Sequence, residues 1–139
     1  MDAGIVAGLS LLFWDWGRSH HMALPDCSGW EFGRWVLRRR RRFRVEGRSM
    51  LPLLEPGEEV LVYPGAYRQR SPQVGDLVIV QHPQRPTLQM VKRVGEILPT
   101  PTGDEFWVYG DNPAESTDSR QFGPVARSHL LGRVTCRFR

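Results

Sequence analysis

The sequence predicts a small, mostly β domain that follows a short helical or irregular lead-in. From residue 43 onward, short runs of β-branched and aromatic residues alternate with Pro and Gly, which is typical of strands joined by turns. The chain has 139 residues, of which 40% are hydrophobic, and this is enough for the core of one domain. We therefore expect a lead-in over residues 1–42 and a single β domain over residues 43–139.

The lead-in begins with an apolar run, residues 3–14. A membrane-spanning helix needs ~20 apolar residues, and this run is shorter. A secretory signal carries Lys or Arg before its apolar run, whereas Asp2 is the charged residue here. If the run did cross a bilayer, the arginines at residues 38–42 would hold the domain on the cytoplasmic side. We therefore predict a cytoplasmic protein, with membrane association as the alternative.

The second half of the lead-in contains a candidate helix and an arginine run. Residues 26–37 predict a short helix that is capped by Asp26 or Ser28 and has a rough apolar face of Trp30, Trp35, Val36 and Leu37. Residues 38–44 are almost all arginine and hold much of the basic excess, in a chain whose net charge is +4. We favour a solvated, sheet-edge or flexible lead-in and expect no nucleic-acid partner. The alternative is a binding module for nucleic acid or anionic membrane, with aromatic side chains interleaved.

Five runs predict the strands of the β domain: residues 58–64, 76–82, 87–94, 105–110 and 131–138. Turn signals such as Pro56-Gly57 and Pro64-Gly65 separate them. The two cysteines, Cys27 and Cys136, are too few for a disulfide framework and lack the spacing of metal ligands. They predict neither a fold constraint nor a compartment.

Lys92 is the single lysine of a chain with 18 arginines. An ammonium can lose its charge when it is buried, whereas a guanidinium stays protonated, so only lysine can act as a general base. Lys92 lies in an apolar strand run beside Val91 and Val94. It is therefore a candidate base, although a surface ion pair is the simpler explanation for one isolated lysine.

Ser49 is a candidate nucleophile for that base. It follows Gly47-Arg48 and precedes Met50-Leu51-Pro52, so a flexible and a rigid residue flank it ahead of a strand. A serine hydroxyl is a weak nucleophile unless a base lies within hydrogen-bond reach, which makes a Ser-Lys pair chemically sensible. Taken alone, Ser49 would be an ordinary turn residue.

Residues 110–125 form a loop that is dense in hydrogen-bonding groups, namely Asp111, Asn112, Ser116, Asp118, Ser119 and Arg120. Asp111, Asn112, Asp118 and Glu115 also offer oxygen ligands for a metal ion. Their spacing is not that of a calcium-binding loop, and no His joins them. We therefore expect no metal and no cofactor, and we expect these groups to hold the loop in one shape.

Together these segments resemble the signal peptidase I family of Ser-Lys proteases, over about residues 45–134. Four motifs match in order: residues 47–54 with 57–60, residues 75–80, residues 91–94 and residues 110–125. The resemblance implies a signal-peptidase-like β domain and an acyl-transfer peptidase. It also implies that Ser49 is the nucleophile and Lys92 its general base.

The resemblance extends to four supporting roles. Ser116 is similar to the hydroxyl that hydrogen-bonds the lysine amine. Asp118, with Arg120 or Arg93, is similar to the charge pairs that fix the loop. Gly47 occupies the position where some members carry a Ser that contributes to the oxyanion hole, so the backbone N–H of the nucleophile and an unidentified second donor remain for this chain.

Within the family, the compact domain and the arginine-rich lead-in resemble the short proteases that mature nickel-type superoxide dismutase. We expect a monomeric endopeptidase that removes an N-terminal extension from a precursor protein, the nickel-type superoxide dismutase precursor, with weak peripheral membrane contact as its one further interaction. The alternatives are a membrane-associated signal peptidase that cleaves secretory signal peptides, another Ser-Lys protease such as a self-cleaving repressor, and the non-enzymatic binding module.

Overall fold

The computed structural model describes residues 23–37 and 39–138, so the apolar run at residues 3–14 lies outside the described residues. One antiparallel sheet of seven strands dominates it, with the strands in the order β1-β2-β7-β3-β4-β5-β6. The strands are β1 (Arg41–Arg44), β2 (Glu59–Tyr63), β3 (Leu77–Gln81), β4 (Gln89–Leu98), β5 (Glu105–Tyr109), β6 (Val125–Ala126) and β7 (Leu130–Phe138). The predicted mostly β fold is confirmed.

Both faces of the central strands are buried. On β3, Leu77 and Ile79 belong to one hydrophobic cluster, while Val78 and Val80 belong to a second. Side chains alternate between the two faces of a strand, so a run of apolar residues such as this one supplies both clusters. Strand β3 is thus packed in hydrophobic clusters on both faces of the sheet.

A short helix, α1 (Gly29–Val36), precedes the sheet. The Ser28 side chain caps it by accepting a hydrogen bond from the Glu31 backbone N–H at 3.5 Å. Glu31 Oε2 accepts hydrogen bonds from Arg40 Nε and Thr135 Oγ1, and the Trp35 ring lies 5.4 Å from the Phe138 ring. The predicted helix near the N-terminus is confirmed, and its Glu31 and Trp35 side faces the sheet.

Two features tie this region to the sheet. Residues 41–44 of the arginine run form β1, which pairs with β2, and the preceding Arg40 is buried against Glu31. Cys27 and Cys136 form a disulfide that joins the chain ahead of α1 to β7.

Within the described part of the chain, none of the helices has the length and apolar character needed to cross a bilayer.

A second helix, α2 (Ser119–Phe122), and two 3-10 turns, Pro113–Glu115 and Arg127–His129, occupy the region between β5 and β7. Asp118 caps α2 by accepting from the Arg120 backbone N–H, and Gln121 completes a reciprocal capping box. The cap fixes the end of the loop that begins at Gly110. This loop lies against the turn that carries Ser49, because the Asn112 backbone N–H donates to the Ser49 carbonyl oxygen at 2.8 Å.

Candidate active site

Ser49 lies in a turn whose conformation depends on the residues around it. Gly47 has a φ of 73°, in the left-handed region where glycine carries no steric cost. The next residues are fixed by the core, since Met50 and Leu54 are almost fully buried in the first hydrophobic cluster. The serine hydroxyl is therefore presented from a short turn that is anchored at its C-terminal side.

Lys92 lies on β4, opposite Val78 of β3. Only 3% of its surface is exposed. Burial lowers the pKa of its ammonium group from 10.5 to about 8, and the positive charge of Arg120 acts in the same direction, against the carboxylates of Asp118 and Asp111. A large fraction of Lys92 is thus neutral at a mildly alkaline pH, which is the state a general base requires.

A chain of hydrogen bonds fixes the lysine amine. Lys92 Nζ donates to Ser116 Oγ at 3.2 Å, and Ser116 Oγ donates to Asp118 Oδ2 at 2.8 Å. Asp118 has no exposed surface and also accepts from the Gly110 backbone N–H at 2.9 Å and from Arg120 Nε at 2.9 Å. Burial alone would raise the pKa of this carboxyl, but the bonds from Arg120, Gly110 and Ser116 lower it overall. Asp118 therefore stays a carboxylate.

The sequence left open which arginine pairs with Asp118. In the structure Arg120 does, and Arg93 instead forms a two-pronged pair with Asp111, with Nε–Oδ1 and Nη2–Oδ2 both 2.9 Å. Both partners are buried, and Arg93 Nη1 also donates to the Gly75 carbonyl oxygen at 3.1 Å. Such a bidentate pair fixes both position and angle, so it ties the start of the loop to the strand that bears Lys92.

Two contributors were not among the predicted site residues. Gly110 packs so closely that an added Cβ would lie 2.2 Å from Ser116 Oγ and 2.7 Å from the Ser49 carbonyl oxygen. Asn112 bridges to the turn, since its Nδ2 donates to the Arg48 carbonyl oxygen at 3.0 Å. The density of polar residues after Gly110 indicated a shaped loop, but no sequence pattern indicated that it packs on the Ser49 turn.

Ser49 and Lys92 line the same groove, of about 480 Å³. The groove runs between the segment of residues 42–46 and that of residues 87–92, with Ser49 and Met50 beside them. Among the described contacts, the hydrogen bond of Lys92 Nζ goes to Ser116 and none joins it to the Ser49 hydroxyl. Seven predicted residues thus occupy one region: Ser49 and Lys92 in the groove, Gly47 in the turn, Ser116, Asp118 and Arg120 behind the lysine, and Arg93 on the same strand.

Comparison with known families agrees with this architecture. The family model described as "Signal peptidase, peptidase S26" matches residues 37–97 and 101–139. The chain belongs to the peptidase S26 family. The match begins just ahead of β1 and runs through the strand with Lys92 and the loop with Ser116, so it includes every predicted site residue.

The S26 chain is also similar to named proteases. It is 36% identical over 111 residues to "Mitochondrial inner membrane protease subunit 2" of Mus musculus, which covers 66% of this chain and 63% of that protein. The corresponding protein of Danio rerio is 35% identical, with 66% and 60% covered, and "Mitochondrial ATP-independent inner membrane protease subunit 1b" of Arabidopsis thaliana is 32% identical, with 66% and 65% covered. The chain thus spans somewhat less than two thirds of the length of these relatives.

One prediction is wrong. We expected a cytoplasmic protein, partly because the apolar run is short, but the relatives are named as proteases of an inner membrane. The error has a physical origin, since the length of one apolar run tests only whether that run can span a bilayer. It carries no information about whether the folded domain binds to a membrane by other means.

Proposed function

We propose that this S26 protein is a serine endopeptidase with a Ser49-Lys92 dyad that cleaves an N-terminal extension from a precursor protein at a membrane. The observation that carries the proposal is the buried lysine. Lys92 lines the same groove as Ser49, its pKa is lowered to about 8, and its amine is oriented by Ser116 and Asp118. A structural lysine would gain nothing from burial, because burial of a charge costs free energy.

The reaction would proceed by acyl transfer. Neutral Lys92 takes the proton of the Ser49 hydroxyl, and Ser49 Oγ attacks the carbonyl carbon of the scissile peptide bond. The C–N bond then breaks, and the Lys92 ammonium returns its proton to the departing amine. Lys92 next takes a proton from water, whose hydroxide attacks the acyl ester, and the proton passes to Ser49 Oγ as the ester bond breaks. The Ser49 backbone N–H is our candidate for one oxyanion donor.

The groove favours an extended substrate. Its walls include residues 42–44 of β1 and residues 89–92 of β4, so a peptide between these strands would add as a further strand. Small side chains next to the scissile bond are what the family resemblance implies. Our specific candidate is the precursor of nickel-type superoxide dismutase, and a secretory precursor is the alternative that the family name "signal peptidase" favours.

The experiment compares cleavage of both precursors by mass spectrometry. We expect wild type to cut one bond in one of them, and we expect Ser49→Ala and Lys92→Arg each to reduce the rate by roughly 10³-fold or more. Lys92→Arg keeps the positive charge but cannot lose its proton, so this variant distinguishes a role of Lys92 as a general base from a role as an ion-pair partner. Wild-type rate should rise with pH and level off above a pH of about 8.

The matched control is Ser71→Ala, an exposed serine outside the groove, which should cleave like wild type. Full activity in Lys92→Arg would show that Lys92 is not the base. If wild type cuts a generic small-residue peptide but neither precursor, the peptidase activity is supported and both proposed substrates are rejected.

A further inference from the structure

The helix α1 presents its apolar side to solvent. Trp30, Phe32, Val36 and Leu37 are 69%, 50%, 60% and 71% exposed. Residues four and seven apart lie on the same side of a helix, so Phe32 with Val36 and Trp30 with Leu37 form two apolar rows that flank Gly29 and Gly33 along one apolar arc. In a soluble domain this arc would face the core, but here the opposite side, with Glu31 and Trp35, contacts the sheet.

A cluster of three exposed arginines lies outside the helix. Arg39, Arg41 and Arg68 line an open cleft of about 450 Å³, and all three are exposed. None of them has a carboxylate partner among residues 23–37 and 39–138, whereas Arg40 is paired with Glu31 and Arg42 with Glu59. A guanidinium group matches the geometry of phosphate oxygens, which it can bind with two parallel hydrogen bonds.

We propose that these residues form a docking surface for an anionic lipid bilayer. The docking surface consists of Trp30, Phe32, Val36, Leu37, Arg39, Arg41 and Arg68. Trp and Phe favour the boundary between headgroups and acyl chains, and an amphipathic helix binds there by burying its apolar side while basic residues contact anionic headgroups. The inference concerns where the protein binds, so it does not depend on the proposed Ser49-Lys92 chemistry.

Two other occupants fit less well. A nucleic acid would satisfy the arginines through its phosphates but would leave Val36 and Leu37 exposed to water. A second copy of the chain would cover the apolar arc, but a symmetric contact through this surface would bring its arginines together, and like charges at an interface are unfavourable. A bilayer provides apolar acyl chains and anionic phosphates in adjacent layers, which matches both parts of the surface.

The test is flotation of the full chain with vesicles. One set contains equal parts of phosphatidylcholine and phosphatidylglycerol, and the other contains phosphatidylcholine alone. We expect binding to the anionic vesicles, weaker binding to the neutral ones, and a decrease with added salt. Trp30→Gln combined with Leu37→Gln should weaken binding roughly tenfold or more, and Arg68→Gln should weaken it about fivefold.

Matched controls use exposed residues outside the docking surface. Val74→Gln combined with Leu98→Gln removes two exposed apolar side chains elsewhere, and Arg85→Gln removes an exposed arginine of another loop. Both should bind vesicles like wild type. Ser49→Ala should also bind normally, so a failure of the catalytic proposal and a failure of the docking proposal give different results.

Three outcomes would overturn the proposal. One is no vesicle binding by wild type. Another is binding that survives in the Trp30 and Leu37 double variant, since the responsible surface would then lie elsewhere, for example in residues 1–22. The third is concentration-dependent dimerisation, detected by light scattering and lost in that variant without any lipid binding, which would assign the surface to a second copy.

Discussion

At the scale of single residues, the site depends on a difference between lysine and arginine. The burial that brings the pKa of Lys92 to about 8 would leave an arginine fully charged. This burial also has a cost. Below a pH of about 8 the folded protein holds a protonated amine with 3% exposure, which lowers its stability, and the proposed role of Lys92 as a general base would account for this cost.

Replacement of this lysine should therefore stabilise the fold while abolishing cleavage. The pKa of Lys92 is lowered in the folded state, so the cost of burying its charge is fully present below about pH 8 and disappears above 10.5, where both states are neutral. For Lys92→Met we expect a free energy of unfolding up to about 3 kcal/mol above that of wild type at neutral pH. Denaturant titration at several pH values measures the difference.

The pH dependence distinguishes this explanation from simple repacking. The difference in the free energy of unfolding between Lys92→Met and wild type should shrink as pH rises from about 8 toward 10.5. Over this range Lys92 of wild type becomes neutral, so wild type no longer buries a charge, whereas Lys92→Met does not change. Lys92→Arg is the control, because it keeps a buried charge at every pH and should be no more stable than wild type. A gap that stays constant across this range would mean that Lys92 does not titrate there.

At the scale of elements, the site is the contact between one loop and one turn. Gly110 is the point of closest approach, because a Cβ there would lie 2.2 Å from Ser116 Oγ and 2.7 Å from the Ser49 carbonyl oxygen. Gly110→Ala should thus push the lysine-orienting loop away from the Ser49 turn. We expect a loss of about 1 to 3 kcal/mol in the free energy of unfolding, together with a loss of cleavage that exceeds the loss of folded protein.

Gly33 provides the matched control for this substitution. A Cβ at this helical position meets nothing within 4 Å, and alanine is the better helix former. Gly33→Ala should keep full cleavage and unfold at an equal or slightly higher denaturant concentration. If Gly110→Ala and Gly33→Ala cleave and unfold alike, the close contact at Gly110 is not needed for cleavage.

Most strands could be predicted at this scale because their signal is local. The β-branched run that forms β3 was placed within one residue at each end, at residues 76–82 against Leu77–Gln81. By contrast, β4 extends to Leu98 because Leu98 pairs with Glu105 of β5. Strand β1 begins inside the arginine run for a similar reason, since four residues with three arginines gain their pairing from β2 and not from their own propensity.

At the scale of the whole molecule, three distant segments form one site. The turn at Ser49, the strand at Lys92 and the loop at residues 110–118 are brought together by the sheet order. The nature of the residues could be predicted because the lone lysine, the serine in a turn and the polar loop together resemble the ordered motifs of one family, although each alone is ordinary. Their cross-contacts could not, since the 2.8 Å bond from Asn112 to Ser49 depends on packing between segments more than sixty residues apart.

The disulfide acts at the same scale, since Cys27 and Cys136 are 109 residues apart. A crosslink over so long a loop restricts the unfolded chain strongly, so Cys27→Ser should lower the free energy of unfolding by about 2 to 4 kcal/mol. Cleavage at low temperature should persist, because neither cysteine contacts the groove. A reducing agent should produce the same loss of stability in wild type and no change in Cys27→Ser, as measured by thermal unfolding. Equal sensitivity of both proteins to reduction would mean that another effect of the reductant, and not this crosslink, stabilises the fold.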